Sequence, residues 1–308
     1  MPDRRRFLQS AGLAATSMLV APVMVRAAAS APASSGDAVR ARIAAAADFA
    51  ALEAAAQGRL GVAVLDAAGG RYLGGHRPDE RFPMCSTFKA VLSAAVLAQA
   101  DRGALELDLR LPVRRSDIVS HSPVTRRHVG KDLTVRDLCR ATMTTSDNAA
   151  ANLLLGRIGG TAGLTAFLRG IGDEVTRSDR MEPEMNRFAP DDPRDTTSPR
   201  AMAASLARCV AGDVLAPASR LQLADWLIDN RTGDDCLRAG IGDGWRVGDK
   251  TGSNGTDTRN DIAIVWPLAQ GRPWTVAAYL QGARVDSPAR DAVLARAGAL
   301  AAELVAAG

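Results

Sequence analysis

Short β-rich apolar runs lie near both ends of the chain, and residues with helical periodicity lie between them. The run RLGVAVLD, followed by Gly69-Gly70 and RYLGG, predicts a β-hairpin. Three later runs, WRVGDKTG, DIAIVWP and WTVAAYL, are separated by Gly, Asn and Pro and predict further strands. Helices are predicted before the hairpin, over residues 37–57, and after the last strand, over about residues 287–305 with Pro288 in the first turn.

From residue 86 the apolar positions recur at three- and four-residue spacing, and Gly103 marks the end of the helix that they predict. These positions are Phe88, Val91, Leu92, Ala95 and Val96. Further helices are predicted over residues 134–143, 148–158, 161–168, 199–210 and 219–230, and a loop rich in Pro and Asp over residues 183–195. We therefore expect an α/β (α+β) fold. Its antiparallel sheet, flanked by helices, would be built from residues 36–84 and 231–308, with an inserted all-helical domain over residues 85–230.

The first 29 residues have the composition of a cleaved export signal. Arg4–Arg6 precede Phe7-Leu8, an apolar stretch follows, and Ala27–Ala29 supply small residues for cleavage. The pattern Arg-Arg-x-Phe-Leu resembles the twin-arginine type of signal. A membrane anchor is the alternative, but a serine, a proline and an arginine interrupt the apolar stretch. We expect residues 1–29 to be removed and the protein to be periplasmic or secreted.

Composition narrows the range of partners. The chain has 308 residues, of which 47% are hydrophobic, which is enough for a sizeable core. The predicted signal carries four arginines and one aspartate, so its removal lowers the formal net charge from +4 to +1. Such a chain is not expected to bind nucleic acid or an anionic membrane surface. No other segment is long and apolar enough to predict a membrane span, and we expect a monomer.

Cysteine and histidine usage argues against a metal site. The four cysteines, Cys85, Cys139, Cys209 and Cys236, show no C-x-x-C spacing, and the three histidines are scattered singly. We therefore predict no metal and no cofactor. Export would permit disulfides, but the sequence leaves the redox state and pairing of the cysteines open.

Ser86 and Lys89 stand at the start of the apolar helix, one helical turn apart, so their side chains share a face. A serine hydroxyl becomes a good nucleophile when a nearby base takes its proton, and a lysine serves as that base only when its pKa is lowered. A helix cap followed by a surface lysine is the alternative interpretation. The chain has only three lysines among its 38 basic residues, and arginine could not replace Lys89 as a base.

Two further motifs offer groups that suit the same chemistry. Ser146-Asp147-Asn148 supplies a second hydroxyl for proton transfer and an amide that could hold a substrate carbonyl or position Lys89, although the same residue types also favour a loop and helix cap. Lys250-Thr251-Gly252-Ser253 supplies an ammonium group and hydroxyls for an anionic substrate, and its glycine permits close approach of the backbone. An ordinary strand end is the alternative for this second motif.

Together the motifs S-x-x-K, S-D-N and K-T-G resemble those of the class A serine β-lactamases and, more distantly, the penicillin-binding proteins. The resemblance covers nearly all of the chain after the predicted signal. It implies a β-lactamase-like fold and hydrolysis of the amide bond of penicillins and cephalosporins through a covalent acyl-serine, which gives antibiotic resistance. Ser86 would be the nucleophile, and Ser146 would help to protonate the departing nitrogen. The base that deprotonates Ser86 would be either Lys89 directly or Glu182 through water.

The segment SDRMEPEMNRFAPDDPRDTT resembles the omega loop of the same enzymes, at about residues 179–195. Glu182 matches the general base of deacylation, Asn186 matches the residue that helps to hold the water, and Arg180 and Asp195 match the ion pair that closes the loop. This loop argues against a D,D-peptidase, which would release penicillin slowly. A covalent β-lactam sensor is disfavoured because no membrane or effector segment is predicted after the signal.

The remaining roles come from the same resemblance. The backbone N–H groups of Ser86 and Ser253 would form the oxyanion hole. The residues implied in substrate binding are Asn148, Lys250, Thr251, Gly252, Ser253, Arg259 and, at the cleft mouth, His121. A cysteine directly before the nucleophile, as at Cys85, resembles a subgroup of class A carbapenemases. In that subgroup a second cysteine, two residues past the K-T-G glycine, forms a disulfide with it, but this chain has Asn254 there. We therefore expect a small packed thiol, and the sequence leaves the substrate spectrum and inhibitor susceptibility open.

Overall fold

The central sheet takes its strands from both ends of the described chain. The computed structural model describes residues 35–269 and 271–307. The strands of this sheet are β1 (Arg59–Asp66), β2 (Tyr72–His76), β7 (Trp245–Ser253), β8 (Arg259–Pro267) and β9 (Trp274–Gln281). They pair antiparallel in the order β2-β1-β9-β8-β7, so the two early strands are continuous with the three late ones. The fold class predicted from the sequence is confirmed.

The two faces of the sheet bury different sets of apolar side chains. Along β9, Val276 and Ala278 contribute to one core cluster, whereas Ala277 and Tyr279 contribute to the other. This alternation is the two-residue period expected of a strand covered on both faces. The first cluster also contains residues of helices α1 (Ser35–Ala56), α8 (Leu237–Ile241) and α9 (Ser287–Ala306). The second joins the sheet to the helices of the middle of the chain.

The middle of the chain is mostly helical. Its helices are α2 (Phe88–Asp101), α3 (Val135–Thr144), α4 (Asn148–Arg157), α5 (Gly160–Gly170), α6 (Pro199–Val210) and α7 (Pro217–Ile228). Every residue of α2 from Phe88 to Ala98 is buried, because this helix is surrounded by its neighbours. The hydroxyl and amine predicted to carry chemistry therefore stand at the start of the most enclosed helix.

Helix starts in this part of the chain follow from capping side chains. Thr134 accepts a hydrogen bond from Asp137 N, and Asp147 accepts one from Ala150 N, so α3 and α4 begin where these residues stand. The predicted start of the apolar helix differs by two residues, since Cys85–Thr87 form a 3-10 turn and α2 begins at Phe88. A tighter first turn is common at helix N-termini.

Several short elements were not predicted because they are too short to show a period. They are α8 and the two-stranded pairs of β3 (Phe82–Pro83) with β6 (Thr196–Thr197) and of β4 (Arg110–Pro112) with β5 (Asp132–Thr134). The β3–β6 pair joins the segment before Ser86 to the end of the predicted omega loop. Two distant pieces of sequence are thereby held side by side.

The structure does not test the predicted export signal or the predicted division into domains. The predicted export signal, residues 1–29, lies outside the described residues. The division into domains at residues 84–85 and 230–231 stays a prediction. Within residues 35–269 and 271–307, no helix combines the length and apolarity needed to cross a membrane.

Candidate active site

The predicted nucleophile lies on a tight turn beneath the edge of the sheet. Cys85, which precedes it, has a positive φ of 45°, an uncommon conformation for a residue with a side chain. The turn approaches β7 so closely that a Cβ atom at Gly252 would lie 2.8 Å from Met84 O and 3.1 Å from Ser86 N. Glycine in the K-T-G motif is therefore required by close backbone approach, as its position predicts.

Ser86 and Lys89 are in direct contact, as predicted from their spacing. Lys89 Nζ lies 2.8 Å from Ser86 Oγ and 2.5 Å from Asn148 Oδ1, and it also donates to the backbone carbonyl of Ser146 at 2.8 Å. The Lys89 side chain is fully buried. Burial lowers its pKa, against the opposing charge of Glu182. These are the conditions under which a lysine can act as a base.

Glu182 reaches the same two groups from the loop above. Its Oε1 accepts from Ser86 Oγ at 3.2 Å and lies 3.1 Å from Lys89 Nζ, while its Oε2 accepts from Asn186 Nδ2 at 2.6 Å. Asn152 holds the Glu182 backbone from both sides, accepting from its N–H at 3.0 Å and donating to its carbonyl at 2.8 Å. The carboxylate is therefore fixed by α4 and by its own loop.

The loop that carries Glu182 is closed by a buried ion pair. Asp195 accepts from Arg180 Nε at 2.6 Å and from the backbone N–H groups of Asp179 and Arg180 at 2.7 and 2.9 Å. The Asp195 side chain is 1% exposed. Its backbone carbonyl accepts from Met84 N at 3.0 Å, which connects the end of the loop to the turn that carries Ser86.

Replacing Asp195 with asparagine should lower the free energy of unfolding by about 3 kcal/mol, because it leaves the largely buried Arg180 guanidinium without its counter-charge. Urea denaturation measures this loss. Asp192→Asn is the matched control, since its partner Arg194 is 53% exposed and the pair is screened by solvent. The control should leave stability nearly unchanged, and equal losses in the two variants would contradict the prediction.

Ser146 and Lys250 complete the polar cluster. Ser146 Oγ lies between the two lysines, 3.2 Å from Lys89 Nζ and 3.3 Å from Lys250 Nζ. Lys250 is fully buried and also donates to Thr251 O at 2.8 Å. Burial, reinforced by the charge of Lys89, lowers the pKa of Lys250 to about 7. The cluster therefore contains two lysines whose protonated forms are both destabilised.

A cleft of about 550 Å³ opens beside this cluster. The predicted site residues that line it are Ser86, His121, Ser146, Asn148, Asn186, Thr251, Gly252, Ser253 and Arg259. Lys89, Glu182 and Lys250 are buried below its surface, and Arg180 and Asp195 do not line it. The cleft is large enough for a drug-sized ligand.

Two residues that line the cleft are tied to neighbours. Arg259 donates to Asp291 Oδ1 at 2.5 Å and to Thr232 O at 3.0 Å, and its side chain is 18% exposed. His121 Nε2 lies 3.0 Å from Thr145 O, and the backbone carbonyl of His121 accepts from Asn148 N at 2.9 Å. Both side chains face the cleft with part of their hydrogen-bonding capacity already used.

Some functional groups were missed by sequence reasoning. Asn152 follows Asn148 by four residues and so shares its helix face, which is the only pattern that could have revealed it. The other missed cleft residues are Ser120, Pro183, Arg187, Thr232, Asn254 and Gly255. Asp147, in the middle of S-D-N, is structural. Its carboxylate accepts from Val124 N and Thr125 N, both at 2.9 Å, and holds that loop against α4.

The four cysteines, Cys85, Cys139, Cys209 and Cys236, are free thiols that lie in buried positions. Burial raises the pKa of the Cys85 thiol far above its ordinary value, so the thiolate is suppressed. Across residues 35–269 and 271–307, no cluster of three His, Cys, Asp or Glu side chains is arranged to hold a metal ion.

Comparison with known proteins identifies the family. Residues 41–305 match the model of the β-lactamase enzyme family. The chain is 61% identical to β-lactamase L2 of Stenotrophomonas maltophilia over 99% of this chain and 100% of that protein. A structure of the class A β-lactamase of the last common ancestor of Gram-negative bacteria is 58% identical, with a TM-score of 0.81 over 86% of this chain and 99% of that one. The chain belongs to the class A β-lactamases.

As a class A β-lactamase, the protein hydrolyses the β-lactam amide bond through an acyl-serine intermediate and gives resistance to β-lactam antibiotics. The crystal structure of L2 complexed with relebactam is 64% identical, with a TM-score of 0.81 over 86% of this chain and 98% of that chain. The family, the enzyme class and the reaction predicted from the three motifs are confirmed.

Proposed function

We propose that Ser86 is the nucleophile of this β-lactamase. The observation that carries the proposal is the contact of Ser86 Oγ with two candidate bases, Lys89 Nζ at 2.8 Å and Glu182 Oε1 at 3.2 Å, at the floor of an open cleft. Oγ attacks the lactam carbonyl carbon and loses its proton to the base, and the C–N bond then breaks to leave an ester. The substrates are penicillins and cephalosporins.

Two routes for removing the Ser86 proton remain alternatives. Lys89 could accept it directly, because burial lowers its pKa. Glu182 could accept it through a water molecule, or directly over the 3.2 Å contact. The 3.1 Å separation of Lys89 Nζ and Glu182 Oε1 lets a proton pass between the two groups. The acylation base is therefore separable only by kinetics.

Ser146 is proposed to return a proton to the departing lactam nitrogen. Its hydroxyl contacts Lys89 Nζ at 3.2 Å and Lys250 Nζ at 3.3 Å, so a proton donated to the nitrogen can be replaced from either ammonium group. The backbone N–H groups of Ser86 and Ser253 are proposed to bind the oxyanion of the tetrahedral intermediate. The close packing of β7 on the nucleophile turn at Gly252 supports this pairing.

Deacylation is assigned to Glu182. Its carboxylate takes a proton from water, the hydroxide attacks the ester carbonyl, and the Ser86 oxygen leaves with a proton. Asn186, which donates to Glu182 Oε2 at 2.6 Å, is proposed to help hold that water. Asn152 anchors the backbone of Glu182 and thereby acts as a positioning residue.

The substrate carboxylate is proposed to bind Lys250, Thr251 and Ser253, with help from Arg259. Asn148 and His121 would contact the remainder of the substrate. Because the pKa of Lys250 is lowered to about 7, raising the pH through this value should remove its charge in the free enzyme. We expect kcat/KM for a penicillin to fall above pH 7 by up to about tenfold per pH unit.

Lys250→Arg tests this pH dependence, since a guanidinium stays protonated throughout the range. Steady-state kinetics from pH 6 to 9 on both proteins should show a flatter alkaline limb in the variant, whatever its absolute activity. The same alkaline limb in both proteins would assign the ionisation to another group and contradict the role of Lys250.

The experiment that tests the proposed nucleophile is a rapid acid quench of the purified enzyme with a penicillin, followed by proteolysis and mass mapping. We expect sustained turnover and a transient adduct of one substrate mass on the peptide that contains Ser86. An adduct on any other peptide would overturn the assignment, and a stable stoichiometric adduct without turnover would overturn the proposed deacylation by Glu182.

Export, as the sequence predicts it, is part of the proposal. We propose that residues 1–29 direct the chain to the periplasm or beyond by the twin-arginine route, and that the mature enzyme is a monomer without stable membrane association. The double substitution Arg4→Lys and Arg5→Lys should reduce the periplasmic fraction of β-lactamase activity several-fold, and cell fractionation measures this fraction. Unchanged export of that variant would exclude the twin-arginine route.

A further inference from the structure

The turn that carries Ser86 is held from behind by a buried polar network that the proposed reaction does not use. Asn260, on β8, donates from Nδ2 to Pro83 O at 2.9 Å and to Met84 O at 3.1 Å. Thr87 Oγ1 donates to the same Met84 carbonyl at 2.9 Å, and Tyr279 OH lies 3.2 Å from Thr87 Oγ1. Asn260, Thr87 and Tyr279 are all fully buried.

This network grips the two peptide groups immediately before the one that carries the Ser86 N–H. The intervening residue, Cys85, has a φ of 45°, a strained conformation that persists only when its surroundings hold it. Two side-chain donors, Asn260 Nδ2 and Thr87 Oγ1, act with the Thr87 backbone N–H, at 3.3 Å from Met84 O, to fix the orientation of the Met84–Cys85 peptide plane. The direction of the following N–H group, on Ser86, is set by that plane and by the Cys85 dihedral angles.

Asn260 also belongs to the strand that positions the other proposed oxyanion donor. In the β7–β8 ladder Asn260 pairs with Gly252, and its neighbour Arg259 pairs with Ser253. The backbone of β8 therefore fixes Ser253, while the side chain of Asn260 fixes the turn that holds Ser86. One residue connects the two donors, which lie 167 positions apart in sequence.

The oxygen of the Asn260 amide indicates that this side chain contributes more to positioning the nucleophile turn than to the stability of the fold. Asn260 Oδ1 is buried and has no hydrogen-bond partner within the part of the chain that the structure describes. A buried unpaired acceptor is unfavourable, and an apolar side chain of the same size would avoid it. The Nδ2 donor of the same amide, by contrast, is fully used on the nucleophile turn.

We propose that Asn260 is a positioning residue that, with Thr87 and Tyr279, sets the Ser86 and Ser253 N–H groups at the spacing that binds the oxyanion. The inference rests on the proposed function, which assigns the oxyanion hole to these two groups. Misalignment weakens polarisation of the acyl carbonyl and slows acylation.

Two near-isosteric variants, Asn260→Leu and Thr87→Val, test the proposal in a Glu182→Gln background that accumulates acyl-enzyme. The readout is isotope-edited infrared spectroscopy with a penicillin labelled at the lactam carbonyl. We expect the acyl carbonyl band of both variants to move to higher wavenumber, and stopped-flow acylation with Glu182 present to slow about tenfold. Complete loss of one oxyanion donor costs about 10²–10³ in kcat.

Ser205→Ala is the matched control, because it removes a fully buried hydrogen bond, from Ser205 Oγ to Asp173 Oδ2 at 2.7 Å, without touching the nucleophile turn. Its carbonyl band should coincide with that of the parent. An unshifted band in Thr87→Val and in Asn260→Leu would overturn the inference, and Thr87→Val alone decides it should Asn260→Leu fail to fold. Absence of an adduct on Ser86 in the parent background would instead refute the proposed nucleophile.

Discussion

Replacement of Ser86 by alanine should lower β-lactam turnover by about 10⁴-fold or more and abolish the covalent adduct. Loss of a nucleophilic serine from an acyl-transfer enzyme removes the covalent pathway altogether, and only binding and oxyanion stabilisation of direct water attack remain. The substitution removes one oxygen atom from a partly exposed turn, so the fold and the cleft should be retained. Turnover of a chromogenic cephalosporin and intact mass measure the two effects.

Ser93→Ala provides the control for this substitution. Ser93 is a fully buried serine on the same helix, α2, and does not line the cleft. It should turn over substrate at the parental rate. Turnover by Ser86→Ala within tenfold of the parent would contradict the assignment, and a persistent adduct in that variant would place the nucleophile elsewhere.

The sequence was most informative where chemistry depends on local spacing. Ser86 and Lys89 are three residues apart, and even though the first turn is 3-10 and not α-helical, their side chains meet at 2.8 Å. Strand periodicity likewise predicted all five strands of the main sheet, because each is a run long enough to show alternation or continuous burial. Local patterns of this kind can be recognised in the sequence without knowledge of the tertiary structure.

Contacts between distant segments needed the structure. Lys250 lies more than a hundred residues from Ser146, and only the folded chain shows both lysines against one hydroxyl. Burial lowers the pKa of both lysines, and the charge of Lys89 lowers the pKa of Lys250 further. No local pattern encodes either effect. The Asn260 network is of the same type, since an isolated asparagine in a strand has no distinguishing period.

For the S-D-N motif, family resemblance implied the functional residues, and the structure showed the role of the remaining one. The motif predicted roles for Ser146 and Asn148 and none for Asp147. In the structure, Ser146 and Asn148 contact Lys89, whereas Asp147 points away and caps α4. The aspartate supports the serine and asparagine on either side of it by holding the loop at residues 124–125 against α4. A short motif can thus combine reacting and supporting residues without any difference in its sequence pattern.

Replacement of Glu182 by glutamine should turn the enzyme into one that acylates and then stalls. Removing a general base typically costs about 10²–10⁴ in rate, and here the loss should fall on hydrolysis of the ester, which requires activated water. Intact mass should show one β-lactam added per chain, stable over many parental turnover times. Glutamine nearly matches glutamate in size, so the contacts of the loop with Asn152 should be kept.

Glu184→Gln is the matched control for that variant. It makes the same replacement of glutamate by glutamine two residues along the loop, at a side chain that is exposed to solvent. It should turn over substrate normally.

The acylation phase of Glu182→Gln then decides between the two bases left open. If Lys89 deprotonates Ser86, the burst should keep nearly the parental acylation rate, since Lys89 still contacts Ser86 at 2.8 Å. If Glu182 does so, acylation should slow as well, and adduct would build up only over long incubation. Sustained turnover by Glu182→Gln above a tenth of the parental rate would contradict both routes and remove Glu182 from the mechanism.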